Sequence, residues 1–128
     1  MFKKYSLTAL AATLITAGSL MSAAAAMEPA KLADGALVDA KGMTLYTFDK
    51  DAAGSGKSVC NGPCATLWPP ALASASDRPE GAFDIVTRDD GTRQWSYKGK
   101  PIYTYQADQK PGDRSGDNFK NVWHIIKD

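Results

Sequence analysis

Two tyrosine–aspartate stretches carry the groups best suited to chemistry. Tyr46 and Phe48 precede Asp51, and Tyr103 and Tyr105 precede Asp108, so both stretches read Tyr-x-aromatic-x-x-Asp. If they converge in the fold, Tyr46, Tyr103, Asp51 and Asp108 would surround one pseudo-symmetric cleft holding a small ligand. Paired carboxylates there could do general acid–base work, as in a hydrolase. That would place them within about 5–10 Å of each other, the range paired-carboxylate hydrolases use. The competing account is packing. Each aromatic ring buries about 150–250 Å², and an aspartate at a strand exit accepts backbone N–H bonds and sets the following turn. Packing is the preferred account, so the binding candidates Tyr46, Phe48, Asp51, Tyr103, Tyr105 and Asp108 are expected to be mainly structural. No residue is assigned a catalytic role.

Cys60 and Cys64 are the only cysteines. In an exported protein an even count is expected to be oxidised. The bridge would close a very small loop, contribute at the low end of the usual range and fix the shape of Cys60-Asn-Gly-Pro-Cys64. A thiol-redox role is the alternative, although the spacing is not C-x-x-C. Copper-type binding would recruit His124, Met27 or Met43 beside the thiolates, with no spacing signature behind it. His124 is the only histidine, which argues against a multi-histidine metal site, and it reads as a rim or core residue. Asp108, Asp113, Asp117 and Asn118 lie in a loop that could hold calcium, but Lys110 and Arg114 interrupt it and the EF-hand order is absent. The expectation is therefore no metal and no cofactor.

The elements that must position these groups come in two copies. Residues 41–51 and 98–108 match without a gap at Lys41/Lys98, Gly42/Gly99, Tyr46/Tyr103, Thr47/Thr104 and Asp51/Asp108, a constant offset of 57 residues. Two copies are too few for a solenoid, so they are expected to pack on each other. Ala36–Ala40 and Thr44–Phe48 read as strands joined at Lys41-Gly42. Phe83–Thr87, Arg93–Tyr97 and Pro101–Tyr105 read as a meander, with a turn at Asp89–Thr92. Val122–Ile126 is a last strand. Cys60–Pro70 suggests a short helical turn with Pro63 at its first position, stopped by Pro69-Pro70. Residues 27–34 read as a partly ordered lead-in and Ala71–Gly81 as a loop joining the copies. Trp68 and Trp123 read as a shared closing tryptophan. Strand register stays open, because two-residue and three-residue turns place opposite residues across from Leu37 and Trp95. The expected class is mainly β: two pseudo-repeated antiparallel hairpin or meander units in one small domain, spanning about 36–70 and 93–126.

Residues 1–26 read as a signal peptide, with Lys3 and Lys4 before an apolar run and Met21-Ser-Ala-Ala-Ala-Ala26 offering the cleavage site. No cysteine follows that run where a lipoprotein would be acylated. Residues 27–128 form the mature domain, periplasmic or secreted, with no later membrane span. Loss of the two lysines takes 15 basic residues to 13, against 14 acidic ones, a net charge of −1. That balance implies neither nucleic acid nor an anionic membrane as partner.

The doubled motif, together with Cys60 and Cys64 leading into Trp68-Pro-Pro, the Pro111-Gly-Asp-x-x-Gly116 run and Val122-Trp123-His124, resembles a bacterial family. It is that of secreted repeats of unknown function, or predicted lipoproteins with a Yx(F/W/Y)xxD motif. The resemblance covers essentially the whole mature chain and implies two repeats in the cell envelope. Many members of that family look lipid-anchored, whereas this chain lacks the acylated cysteine. The resemblance brings no activity, substrate or cofactor.

The function expected is that of a non-enzymatic exported module with a binding or structural task. Trp68, Trp95, Trp123 and the tyrosines are numerous for about 100 residues, and an exposed aromatic patch would take an envelope protein or a small ligand. The alternatives are a thiol-redox or copper-handling protein and a hydrolase using the paired aspartates.

Overall fold

A computed structural model describes residues 29–127. The expected signal peptide lies outside the described residues. Strands dominate: β1 (Ala30–Ala33), β2 (Ala36–Asp39), β3 (Tyr46–Phe48), β4 (Phe83–Thr87), β5 (Arg93–Tyr97), β6 (Lys100–Pro101) and β7 (Trp123–Ile125). They form three small antiparallel sheets, β1-β2, β3-β7 and β4-β5-β6. One short helix, α1 (Pro63–Leu67), begins on Pro63. Proline suits that place because the first helical N–H has no intrahelical partner. No helix among the described residues is long and apolar enough to cross a membrane.

The two turns after β2 and β5 settle the register. Asp39 N–H donates to the Met43 carbonyl (2.9 Å) and Gly42 N–H to the Asp39 carbonyl (2.9 Å), a three-residue turn. In the second copy Tyr97 pairs directly with Lys100 across the two-residue turn Lys98-Gly99. Gly42 and Gly99 both sit at positive φ, 85° and 87°, a conformation that costs glycine little. The extra residue in the first turn shifts the match by one. Leu45 N–H reaches the Leu37 carbonyl and Ile102 N–H reaches the Trp95 carbonyl, both at 3.0 Å. Leu37 and Trp95 are therefore structural equivalents.

The copies interlock through their backbones. Tyr46 and Tyr103 exchange both hydrogen bonds, at 2.8 and 3.0 Å. β3 of the first copy pairs with β7 of the second, Tyr46 to Ile125 and Phe48 to Trp123. Leu37 N–H donates to the Ile126 carbonyl (2.9 Å), and correspondingly Trp95 N–H donates to the Ala71 carbonyl (2.8 Å). Each copy thus lends its tail to the other's hairpin.

Alternation along a strand sends neighbouring side chains to opposite faces, and here both faces are core. Leu45 and Ile102 enter a mainly aliphatic cluster with Ala30, Leu37, Trp95 and Ile126. Tyr46 and Tyr103, one residue on, enter an aromatic cluster with Phe48, Cys60, Trp68 and Trp123. All four of those alternating residues are 0% exposed. Full burial of an aliphatic side chain stabilises by about 1.5–3 kcal/mol.

Three sequence expectations are corrected. The partly ordered lead-in contains β1, whose exposed Lys31 and Leu32 break any alternation that could have marked a strand. The strand expected over Pro101–Tyr105 contracts to Lys100–Pro101, because Tyr103 bonds to the other copy instead of its own hairpin. The loop expected from Ala71 begins as backbone paired to β5, through Ala71 and Ala73.

Candidate functional site

The structure brings both motifs together. The Tyr46 hydroxyl donates to Asp108 Oδ2 (2.6 Å) and the Tyr103 hydroxyl donates to Asp51 Oδ2 (2.5 Å). Each tyrosine therefore bonds to the aspartate of the opposite copy. The second carboxylate oxygens are also engaged. Asp51 Oδ1 accepts the Val59 N–H (2.7 Å), and Asp108 Oδ1 accepts the Ser115 N–H (3.0 Å) and the Ser115 hydroxyl. All four motif side chains are buried. Burial first, and the aspartate partner second, push both phenols well above the usual tyrosine range. A phenolate facing a buried carboxylate would place two anions side by side.

The motif aromatics cross over in the same way. Phe48 stacks on Trp123 of the other copy (centroids 4.2 Å apart), Tyr105 stacks on Trp68 (3.9 Å), and Trp68 stacks on Trp123 (3.8 Å, planes 2° apart). The result is one four-ring column, Phe48–Trp123–Trp68–Tyr105. Tyr46 meets Trp68 edge-on at 5.2 Å and Tyr103 meets Trp123 edge-on at 5.1 Å. Gly116 lies against this column: a Cβ there would stand 2.5 Å from the Trp68 ring and 2.9 Å from Tyr105.

This arrangement is what the doubled spacing builds. A family model described as a secreted repeat of unknown function matches residues 30–72 and 84–127. The chain belongs to that family. No curated protein and no solved structure matches it. In this secreted repeat protein, the residues that define the repeat lie at the contact between its two copies.

Cys60 and Cys64 are joined as a disulfide, Cα atoms 5.2 Å apart. Cys60 is buried and Cys64 half-buried. His124 lies on the rim, paired across the sheet with Thr47. Its Nε2 stands 2.8 Å from Asp49 Oδ2 and its Nδ1 3.1 Å from Asn118 Oδ1. The acidic loop turns its carboxylates onto backbone N–H groups, its own and those of β7. Asp113 accepts Gln109 and Lys110 N–H groups, which hold its carboxyl below the usual range, and Asp117 accepts the Ile125 N–H. No cluster of three or more His, Cys, Asp or Glu side chains that could hold a metal occurs among the described residues. Met43 is half-buried in the turn after β2, and Met27 lies outside the described residues.

Residue types alone did not single out Arg88, Gln94, Ser58 and Ser115. Arg88 is 5% exposed. Its Nη1 donates to Ser58 Oγ (3.0 Å) and Gln94 Oε1 (2.7 Å), and its Nη2 to the Cys60 carbonyl (2.7 Å) and Asn61 Oδ1 (3.0 Å). Gln94 passes the chain on to the Ile102 carbonyl (2.8 Å). Ser58 Oγ touches the Tyr103 hydroxyl at 2.6 Å, so a buried polar chain runs from Asp51 to Arg88. A signal for the serines did exist: Ser58 and Ser115 keep the same 57-residue offset as the motifs.

Proposed function

We propose that the protein is a non-enzymatic module of the cell envelope, periplasmic or secreted, whose motif side chains hold its two copies together while its outer surface carries a binding or structural task. The observation behind this reading is the reciprocal bonding of Asp51 and Asp108. Each carboxylate oxygen already accepts a hydrogen bond, from a buried tyrosine hydroxyl on one side and a backbone N–H on the other, which suits holding the copies together better than receiving a substrate proton. The surface supplies the other half of the reading. Val59, Leu67 and Leu72 are exposed apolar side chains. An open groove of about 590 Å³ is lined by Lys31, Asp34, Val38, Thr44, Pro111 and Arg114. Mixed charge on an apolar floor suits a protein segment or a small polar ligand.

The test compares two classes of variant of the mature chain in cross-linked pull-downs from envelope extract. Lys31→Glu, at an exposed position lining the groove, is expected to lose captured material while keeping the native melting temperature. Tyr46→Phe is expected to lower the melting temperature and to retain capture below it. Capture that follows the motif variant at temperatures where it is folded would overturn the reading.

A further inference from the structure

The two indoles at the centre of the ring column are parallel and in close contact. Aromatic pairs favour offset or edge-on contacts with centroids about 4.5–7 Å apart, because facing π clouds repel. Trp68 and Trp123 instead lie 3.8 Å apart with their planes 2° from parallel. Rings this close and this nearly parallel share a positive hole over both faces once one electron is gone. Beside the column, the Tyr46 ring meets Trp68 at 5.2 Å and its hydroxyl is already aimed at a buried carboxylate.

We propose that the ring column and the Tyr46–Asp108 pair form a site that takes up and holds one oxidising equivalent from a diffusible one-electron oxidant. The column reaches the surface at one end. Tyr105 is half-buried, and Phe119, 36% exposed, packs on both Trp68 and Tyr105 at 5.8 Å. There the oxidant gains one electron, and the hole passes to the Trp68–Trp123 pair. Tyr46 then returns one electron to the pair, while its phenolic proton moves along the existing hydrogen bond to Asp108 Oδ2. The O–H bond of Tyr46 breaks, and an O–H bond on Asp108 forms. The product is a neutral tyrosyl radical beside a neutral carboxylic acid. A one-electron reductant reverses both transfers. Without the aspartate, a buried phenol losing an electron would leave an uncompensated cation in the core, at high cost.

The two tyrosines are not equivalent. Oxidation makes a tyrosine–aspartate pair more positive by one charge. The Tyr103 pair is connected through Ser58 to the buried Arg88 guanidinium, which repels that added charge strongly in a low-dielectric interior. Among the described residues, the Tyr46 hydroxyl bonds to Asp108 and the Gly116 N–H and to no cationic side chain. The hole therefore settles at Tyr46.

The experiment is pulse radiolysis of the mature chain with azide radical as oxidant, following indole and tyrosyl absorbance. The expected result is an indole radical that decays into a tyrosyl radical with first-order kinetics independent of protein concentration, slower in D2O than in H2O. Tyr46→Phe, checked for folding by near-ultraviolet circular dichroism, should lose most of the tyrosyl signal, whereas Tyr97→Phe should keep it. An unchanged rate in D2O with the unaltered chain would overturn the proposal. So would a tyrosyl yield that survives in folded Tyr46→Phe.

Discussion

Tyr46 gives its hydroxyl hydrogen to Asp108, 62 residues away, and not to Asp51 in its own motif. A single repeat would therefore hold a buried tyrosine and a buried aspartate that cannot satisfy each other. The recurring motif is a statement about the pair of copies. Removing one hydroxyl tests its strength. Hydrogen bonds to charged groups contribute about 1.5–3 kcal/mol, and the partner left behind adds its own desolvation. Tyr46→Phe should destabilise the protein by about 2 kcal/mol in urea unfolding. Tyr103→Phe should cost a similar amount, because each aspartate keeps a donor of its own, Val59 for Asp51 and Ser115 for Asp108. A double-mutant cycle of Tyr46→Phe with Asp108→Asn should show coupling above about 0.5 kcal/mol.

Alkaline pH probes the same bonds without mutation. Burial raises both phenols above the ordinary tyrosine value of about 10. The folded protein therefore keeps both protons at pH values where the unfolded chain has lost them. Their contribution is whole below about pH 10 and is lost as pH rises from there towards the folded values. Melting temperature should fall steeply above that point, and the fall should be shallower in the Tyr46→Phe/Tyr103→Phe double variant. Phenolate absorbance from these two residues should appear together with loss of near-ultraviolet circular dichroism.

Much of this architecture was legible in the chain because it is locally encoded. The matched stretches, the alternation around Leu45 and Ile102, the glycine turns and Pro63 opening α1 each carry their signal within a few residues. Register was not legible, because it depends on whether a turn takes two residues or three, and the two copies chose differently. The crossing of Tyr46 to Asp108 was equally hidden. Spacing shows that two motifs exist but not whether each closes on itself. Arg88 had no signal at all: a charged residue at the end of β4 reads as solvated until Ser58, Cys60 and Asn61 fold over it.

Gly116 tests the ring column. A methyl group there would meet the Trp68 ring at 2.5 Å, and overpacking a core costs about 1–3 kcal/mol. Gly116→Ala should lower stability by that amount and alter the near-ultraviolet circular dichroism of the stacked indoles. Ala107→Gly, at an exposed variable position of the motif, should leave that spectrum unchanged.

Reduction of Cys60–Cys64 isolates the contribution of the disulfide. Only three residues separate the cysteines, so little chain entropy is at stake, about 2 kcal/mol or less. The Cys60 carbonyl is also held by Arg88 (2.7 Å) and its N–H by Ser58 Oγ (3.3 Å). The reduced protein should therefore stay folded, with a melting temperature lower by about 4–8 °C for each kcal/mol lost. Unfolding on reduction at room temperature would mean that the bridge, not the tyrosine–aspartate crossing, fastens the first copy.

Arg88 provides the sharpest contrast between charge and geometry. Its two terminal nitrogens serve four acceptors on two segments of chain, the 58–61 loop and β5. A lysine ammonium keeps the charge but is a compact donor without the planar fork. Arg88→Lys would leave the Asn61 or Cys60 acceptor unmet, and each buried unsatisfied group costs about 1–3 kcal/mol. Both Arg88→Lys and Arg88→Ala should destabilise by about 2–4 kcal/mol, with the lysine recovering only a minor part. Hydrogen exchange should then quicken at the Val59 and Cys60 amides, which bond to Asp51 and Ser58, before it quickens at Tyr46. Full rescue by lysine would show that the positive charge alone matters, and that the fork holding the first copy's loop against β4 does not.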